Sequence, residues 1–329
     1  MRSGFLLRHG DLYIFLHDRV QEAAYALISS GELPALHLRI ARLLLSNHLP
    51  NRLSEEVFDI VNHCNQGLHL VVDPLEKQRW CQFNYIAGKK AKDAIAYAAA
   101  SRYLHIASEL MGEDAWQKCH QDKFDLTLAQ AECEYQLAHI ELAEEMFSQL
   151  LQRAQSNQCH AQISILRIKL YQLSARFDAA VTTAFTCLAR FGIEVSTDED
   201  LLAAELQVLR REIEDRIAQG SIASLIDLPV IADEDVRIVL ELLSELRAIA
   251  WNAQPNLYQF LSVKALAITL QHGNCEAACS AYLAYGINLI TQNNIADAVE
   301  FGDLALALYQ RFDEKMRLGR LMFTHGAFF

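Results

Sequence analysis

A chain of 329 residues with 52% hydrophobic and 21% charged residues has the composition of a folded globular protein with room for a large core, which argues against disorder. Its 29 basic and 41 acidic residues give a formal charge of −12, which opposes a nucleic-acid surface, because phosphate binding depends on concentrated Lys and Arg. Only 13 Gly and 5 Pro, with abundant Ala and Leu and few runs of Val, Ile or Thr, point to an all-α fold.

No apolar run approaches the roughly 18 to 20 residues that span a bilayer. MRSGFLLRHGD has too short an apolar stretch for a secretory signal. A cytoplasmic chain without a membrane partner is the expectation. The eight Cys (64, 81, 119, 133, 159, 187, 275 and 279) contain no CxxC and fit reduced, mostly buried thiols.

In chain order, LYIFL (Leu12 to Leu16) predicts a short strand. FLHDRVQEAAYALI follows, where Val20, Ala23, Ala24, Leu27 and Ile28 fall at i, i+3, i+4, i+7 and i+8. In LPALHLRIARLLL (Leu33 to Leu45), Leu36, Ile40, Leu43 and Leu44 repeat that stripe, so two amphipathic helices are expected to pack face to face.

Asp73, Pro74 and Glu76 read as an N-cap, a first-turn proline and a capping-box partner. Further helices are expected to start at Thr197 with Asp198, Glu199 and Asp200, and at Asp233, Glu234 and Asp235. Gly273 and Asn274 in QHGN close one helix and start the next.

Small residues recur at the spacing that crossing helices need in a tetratricopeptide-like unit of about 34 residues. Gly88, Ala100, Leu104 and Ala107 are separated by 12, 4 and 3 positions, and Gly286, Ala298, Gly302 and Ala305 repeat the intervals. Ile140, Ala143, Phe147 and Leu150, then Phe177, Ala180, Ala184 and Cys187, supply two further second helices, and Tyr171 takes the aromatic position of a first helix. The expected architecture is therefore a TPR-like array of antiparallel helix pairs, an alpha-alpha superhelix of fourteen to sixteen helices at typical lengths of roughly 10 to 20 residues. Between Gly192 and Ala232 the repeat fades into one charged helix, from about Leu201 to Gln219, and the Pro229-containing SLIDLPVIADED. That stretch reads either as a connector or as a repeat with long loops.

The strand, the HDRVQEAAY helix and the LHLRIARLL helix resemble the winged-helix end of the nucleotide-binding unit in STAND-type AAA-like signalling ATPases. VFDIVNHCNQG, AGKKAKDAIAYAAASRYL and LQHGN look like the helical region of very large bacterial proteins in which a Ser/Thr kinase, such an ATPase, a helical-repeat region, a GAF sensor and a histidine kinase share one polypeptide. The resemblance divides the chain into the C-terminal part of a winged-helix module (1–50), a first TPR-like array (51–191), an irregular connector (192–232) and a second, truncated array (233–329). An ending in THGAFF, inside an apparent helix with two exposed phenylalanines, reads as a fragment.

Catalytic chemistry is missing from the sequence. No G-x-x-x-x-G-K-[ST] occurs, so the phosphate cradle of an ATPase is absent, as are the kinase Gly-rich loop, a catalytic H-R-D with its downstream Asn, and D-F-G. His17 and Asp18 are adjacent on a strand-to-helix junction, where they do not face one another, and a packing or interdomain role suits them. His272, Cys275 and Cys279 have metal-like spacing but are interrupted by Gly273 and Asn274 and lack a fourth nearby ligand; Cys119-His120 and Cys159-His160 read as incidental, since consecutive residues on a helix do not converge easily on one ion. The pairs Glu55-Glu56 and Glu144-Glu145 are expected in first turns or on solvated faces, and the recurrent aromatics, among them Trp80, Tyr103, Phe177 and Trp251, in the core.

These readings give no catalytic, cofactor-binding or metal residue in this chain; ATP and Mg belong to the ATPase and kinase domains that the resemblance implies elsewhere. The expected role is a noncatalytic regulatory scaffold in a large cytoplasmic signalling protein. Its partners are an upstream nucleotide-binding domain, downstream sensor and kinase domains, and a protein or peptide ligand on the repeat surface, with no nucleic acid and no membrane. A freestanding adaptor and the central part of a STAND transcription activator are the alternatives.

Overall fold

A computed structural model describes residues 6–9, 12–46, 53–196, 198–312, 325, 326 and 328. Thr197, and Thr324, Ala327 and Phe329 of the terminal THGAFF, lie outside the described residues. The chain divides into two compact units, 1–139 and 140–329.

In the first unit, β1 (Leu6–His9) and β2 (Leu12–Phe15) form an antiparallel hairpin, in register from Leu6 opposite Phe15 to His9 opposite Leu12. Helices α1 (Asp18–Ala26), α2 (Leu33–Ser46), α3 (Leu53–Gly67), α4 (Pro74–Asp93), α5 (Tyr97–Met111), α6 (Ala115–Lys118) and α7 (His120–Gln136) follow, with a 3₁₀ turn at Leu68–Leu70. The second unit holds α8 (Ile140–Arg153), α9 (Asn157–Leu173), α10 (Phe177–Ala189), α11 (Glu199–Ile217), a 3₁₀ turn at Ile222–Asp227, α12 (Glu234–Ala253), α13 (Pro255–His272), α14 (Glu276–Thr291) and α15 (Ile295–Phe312). Beyond the hairpin the architecture is all-α, with fifteen α-helices among the described residues packed as adjacent antiparallel pairs, including α2–α3, α4–α5, α9–α10, α12–α13 and α14–α15.

The small residues that mark the expected pairs are buried. Ala100, Leu104 and Ala107 on α5 are fully buried, as are Ala143 and Phe147 on α8, Ala180 and Ala184 on α10, and Ala298 and Ala305 on α15. On α4, a Cβ at Gly88 would lie 2.6 Å from Cγ of Leu104, so only glycine permits this approach.

The turns after α4, α7, α9 and α14 share one geometry. Ile95, Ala138, Ala175 and Asn293 adopt positive φ of 63°, 60°, 55° and 63°. In each turn the following amide reaches five residues back: Ala96 N to Ala91 O (2.8 Å), His139 N to Glu134 O (3.0 Å), Arg176 N to Tyr171 O (2.8 Å) and Asn294 N to Leu289 O (3.0 Å). These are Schellman-type terminations built without glycine. A hydrophobic residue, Tyr97, Ile140, Phe177 or Ile295, then opens the next helix.

The expected caps at Asp73, Asp198 and Asp233 are present, each carboxylate accepting from first-turn amides. Glu76 does not complete a capping box. Its carboxylate instead accepts 2.8 Å hydrogen bonds from both Nε and Nη2 of Arg42, and one from Trp80 Nε1 at 3.2 Å, because a cation on α2 lies within reach.

Helices α1 and α2 do not bury the faces that their stripes suggest. Val20, Ala24 and Ile28 are half-buried, but Ala23 is exposed and Leu27 is 88% exposed. On α2 the buried residues are His37, Leu38 and Ala41, facing α3, while Leu43 is exposed. The apolar positions of α2 are numerous enough to form more than one stripe, and the partner helix decides between them.

Candidate interaction groove

Asp198 starts α11 by accepting from Asp200 N at 2.9 Å and Leu201 N at 3.2 Å. Leu202, Leu206, Leu209 and Ile213 then recur at helical spacing and are buried, so this face seals against α13. Helix α13 also packs on α12 and α14, which is why its apolar residues run all round its circumference. The strip of α11 beside its buried face stays open: Leu201 is 62% exposed and Val208 54% exposed.

Between α11 and α13 lies a groove of about 700 Å³, within the size range of ligand sites. Leu209, Ile213 and Leu270, all buried, line its apolar part, and Ala267 and Ile268 are half-buried beside them. Glu205, Glu212, Arg216 and Lys264 supply its charges, and Lys264 Nζ donates to Glu205 Oε1 at 2.8 Å. The lining contains no imidazole, thiol or hydroxyl; its polar groups are the carboxylates of Glu205 and Glu212, the cations of Arg216 and Lys264, and the amide of Gln271.

The turn beyond α13 is anchored by a residue that the sequence shows only as a loop asparagine. Asn274 is fully buried; its Nδ2 donates to Leu225 O at 2.8 Å, and its Oδ1 accepts from Tyr282 Oη at 2.9 Å. Its backbone pairs with the Pro229 segment, Asn274 N to Pro229 O at 2.7 Å and Ile231 N to Asn274 O at 2.8 Å. Gly273, at φ 115°, is required there, since a Cβ would sit 2.1 Å from Pro229 O.

Glu144 corrects the expectation of a solvated acidic pair. It accepts from Tyr171 Oη at 2.6 Å and from Arg176, with Arg167 3.7 Å away. Burial pushes its carboxyl up, but the hydrogen bonds of Arg176 and Tyr171 and the two guanidinium charges outweigh that, and its pKa falls below the usual value. The ring of Tyr171 is flanked by Arg176 at 4.6 Å and Arg167 at 5.4 Å.

The other residues singled out from the sequence are scattered. His17 is exposed at the start of α1, beside Asp18. His272 is exposed at the end of α13, whereas Cys275, which precedes α14, and Cys279 on α14 are buried. His120 stacks on Phe124 with ring centroids 6.4 Å apart, and His160 is driven below the ordinary imidazole pKa by burial and then by Arg190. Among the described residues, no three His, Cys, Asp or Glu side chains are placed to hold a metal ion, and no helix is long and apolar enough to cross a membrane. Most of the expected core aromatics are buried, but Phe177 is 47% exposed and Trp251 42% exposed; Trp251 packs edge-on against Tyr258 at 4.8 Å and Phe328 at 5.7 Å.

No protein-family model matches the chain. A curated relative, the hybrid signal transduction histidine kinase G of Dictyostelium discoideum, is 23% identical over 349 aligned positions. The alignment takes in 92% of this chain and 10% of that protein, so the chain spans about a tenth of the length of the relative it matches. The chain is thus an all-helical segment, apart from its hairpin, with distant homology to one region of a large hybrid signal-transduction histidine kinase.

Proposed function

We infer that this chain is a noncatalytic regulatory scaffold within a large cytoplasmic signal-transduction protein. The observation that carries the reading is the alignment of 92% of the chain within a tenth of a hybrid kinase. In this reading the paired helices are a TPR-like superhelix. The hairpin with α1 and α2 is the end of a STAND ATPase winged helix, and the region around α11 and its 3₁₀ turn is a connector between two arrays. The scaffold relays the state of an upstream nucleotide switch to downstream sensor and kinase modules, and ATP and Mg act in those modules. The groove between α11 and α13 supports this role, since its lining suits a protein or peptide surface.

Two measurements test the proposal. The purified chain, given ATP and Mg, is expected neither to hydrolyse the nucleotide nor to take up phosphate; turnover that co-purifies with the chain overturns the noncatalytic assignment. The coding sequence on either side is expected to contain a Walker A upstream and kinase motifs downstream. Stop codons on both sides replace the relay with a freestanding adaptor, the reading that the groove alone favours.

A further inference from the structure

Two histidines and a tyrosine on three successive helices meet in the first unit. Nδ1 of His37 on α2 lies 2.7 Å from Nδ1 of His63 on α3, and Nε2 of His37 lies 2.8 Å from Tyr25 Oη on α1. The imidazoles stack with centroids 4.9 Å apart and planes 29° apart, and Tyr25 meets His37 edge-on at 5.9 Å. His37 is only 5% exposed. By contrast α1 buries no residue fully, so Tyr25 is its reach to a buried group of α2.

The protonation states are constrained by this geometry. A bond between two Nδ1 atoms needs one proton, so one ring donates and the other accepts. A single added charge is tolerated: a doubly protonated His37 donates from Nδ1 to His63 and from Nε2 to the Tyr25 oxygen. A second charge places N–H groups on both facing nitrogens, which removes the acceptor and sets like charges in ring contact. The pair then has to part.

We propose that the His37–His63 pair is a proton-operated latch that holds α1, through Tyr25, on the α2–α3 pair and releases it in mild acid. The surrounding groups favour one proton over two. Burial, and then His37, hold His63 below the ordinary imidazole value of 6.5, against the opposing pull of Asp59 on its own helix. Arg42 of α2 is bound by Glu76 of α4, Arg39 of α2 is exposed, and His69 on the adjoining 3₁₀ turn is exposed. A lowered folded-state pKa means that the contribution is present above about 6.5 and is lost as the pH falls through the lowered value. The latch rests on this geometry alone and is independent of the relay reading.

Hydrogen exchange on the full chain, corrected for intrinsic rates and compared at about pH 7.5 and 5.5, reads the latch directly. Protection of α1 is expected to be lost in acid, in the direction set by the lowered His63 pKa, while α4 holds its protection. His63→Gln keeps an acceptor for His37 but takes no proton, so its α1 protection should not change with pH. Tyr25→Phe, at a 45% exposed position, should leave α1 weakly protected at both pH values. Unchanged α1 protection in the wild-type chain, or an undiminished pH response in His63→Gln, overturns the proposal. If His63→Gln also loses α4 protection, Tyr25→Phe decides: a full pH response there overturns the latch, and a flat one supports it.

Discussion

Replacing Gly88 with alanine sets two effects of known sign against each other. Alanine improves helix propensity by about 1 kcal/mol over glycine in a helix interior. Its Cβ, however, would lie 2.6 Å from Cγ and 2.7 Å from Cδ2 of Leu104, with the Leu104 backbone nitrogen at 3.3 Å. Carbon pairs are comfortable near 3.5 to 4.0 Å, so the overlap is about 1 Å, and Leu104 is fully buried. Inserting a methyl into such a core costs about 1 to 3 kcal/mol. The clash wins, and Gly88→Ala is expected to destabilise by about 1 kcal/mol net. Urea unfolding followed by tryptophan emission measures this, since Trp80 on α4 is buried. In a Leu104→Ala background the clash partner is gone and the same substitution should stabilise by about 1 kcal/mol, giving a coupling near 2 kcal/mol. Gly31→Ala, which meets no atom within 4 Å, is the control. Equal effects of Gly88→Ala in both backgrounds would refute the argument from close approach.

Alanine-to-glycine changes should have opposite signs according to backbone geometry. Ala138→Gly and Ala175→Gly, at φ 60° and 55°, should each stabilise by about 0.5 to 1 kcal/mol, whereas Ala180→Gly within α10 should destabilise by at least about 1 kcal/mol. Tyr171→Phe removes a 2.6 Å bond to a charged acceptor and should cost about 1.5 kcal/mol near neutral pH by urea denaturation. Because the folded Glu144 pKa is lowered, that cost is present above its ordinary value of 4.5 and should shrink as the pH falls through the lowered one; a pH-independent cost contradicts the pairing. With a thiol-specific reagent, Cys119 should react first in the native chain, since the other seven cysteines are buried and burial pushes Cys64 up to about 12 and Cys133 to about 11. Two or more equally fast thiols would refute that burial pattern.

What could be read from the residues follows physical necessity. Crossing helices need small side chains, so Gly88, Ala100, Ala143, Ala180 and Ala298 betray the pairs by spacing alone. Carboxylates at helix starts betray the caps at Asp73, Asp198 and Asp233 for the same kind of reason. The faces of α1 and α2 were not legible, because choosing among several apolar stripes requires knowing the partner helix. Glu144 looked like one more solvated acid, since Tyr171 and Arg176 stand 27 and 32 positions away in sequence. The groove left a fainter trace: Leu201 and Val208 stand seven residues apart on α11, off the buried stripe. Such a pair becomes informative only when the neighbouring stripe is known to be sealed.

The recurring turn explains why the pair, and not the single helix, is the unit of this fold. Ile95, Ala138 and Ala175 occupy a backbone region that disfavours residues bearing a Cβ, by roughly 1 kcal/mol each. No local preference selects that conformation in these residues, so the packing they serve must impose it. The hydrophobic residue two positions later supplies the reason, because the turn delivers it to the start of a helix whose buried small residue follows three positions on, as with Tyr97 and Ala100, Phe177 and Ala180, and Ile295 and Ala298. The inner faces are therefore fixed by crossing geometry and carry little freedom for specificity. That freedom lies on the outer helix faces and in the departures from the repeat, which is where α11 opens its groove and where the His37–His63 pair joins three helices.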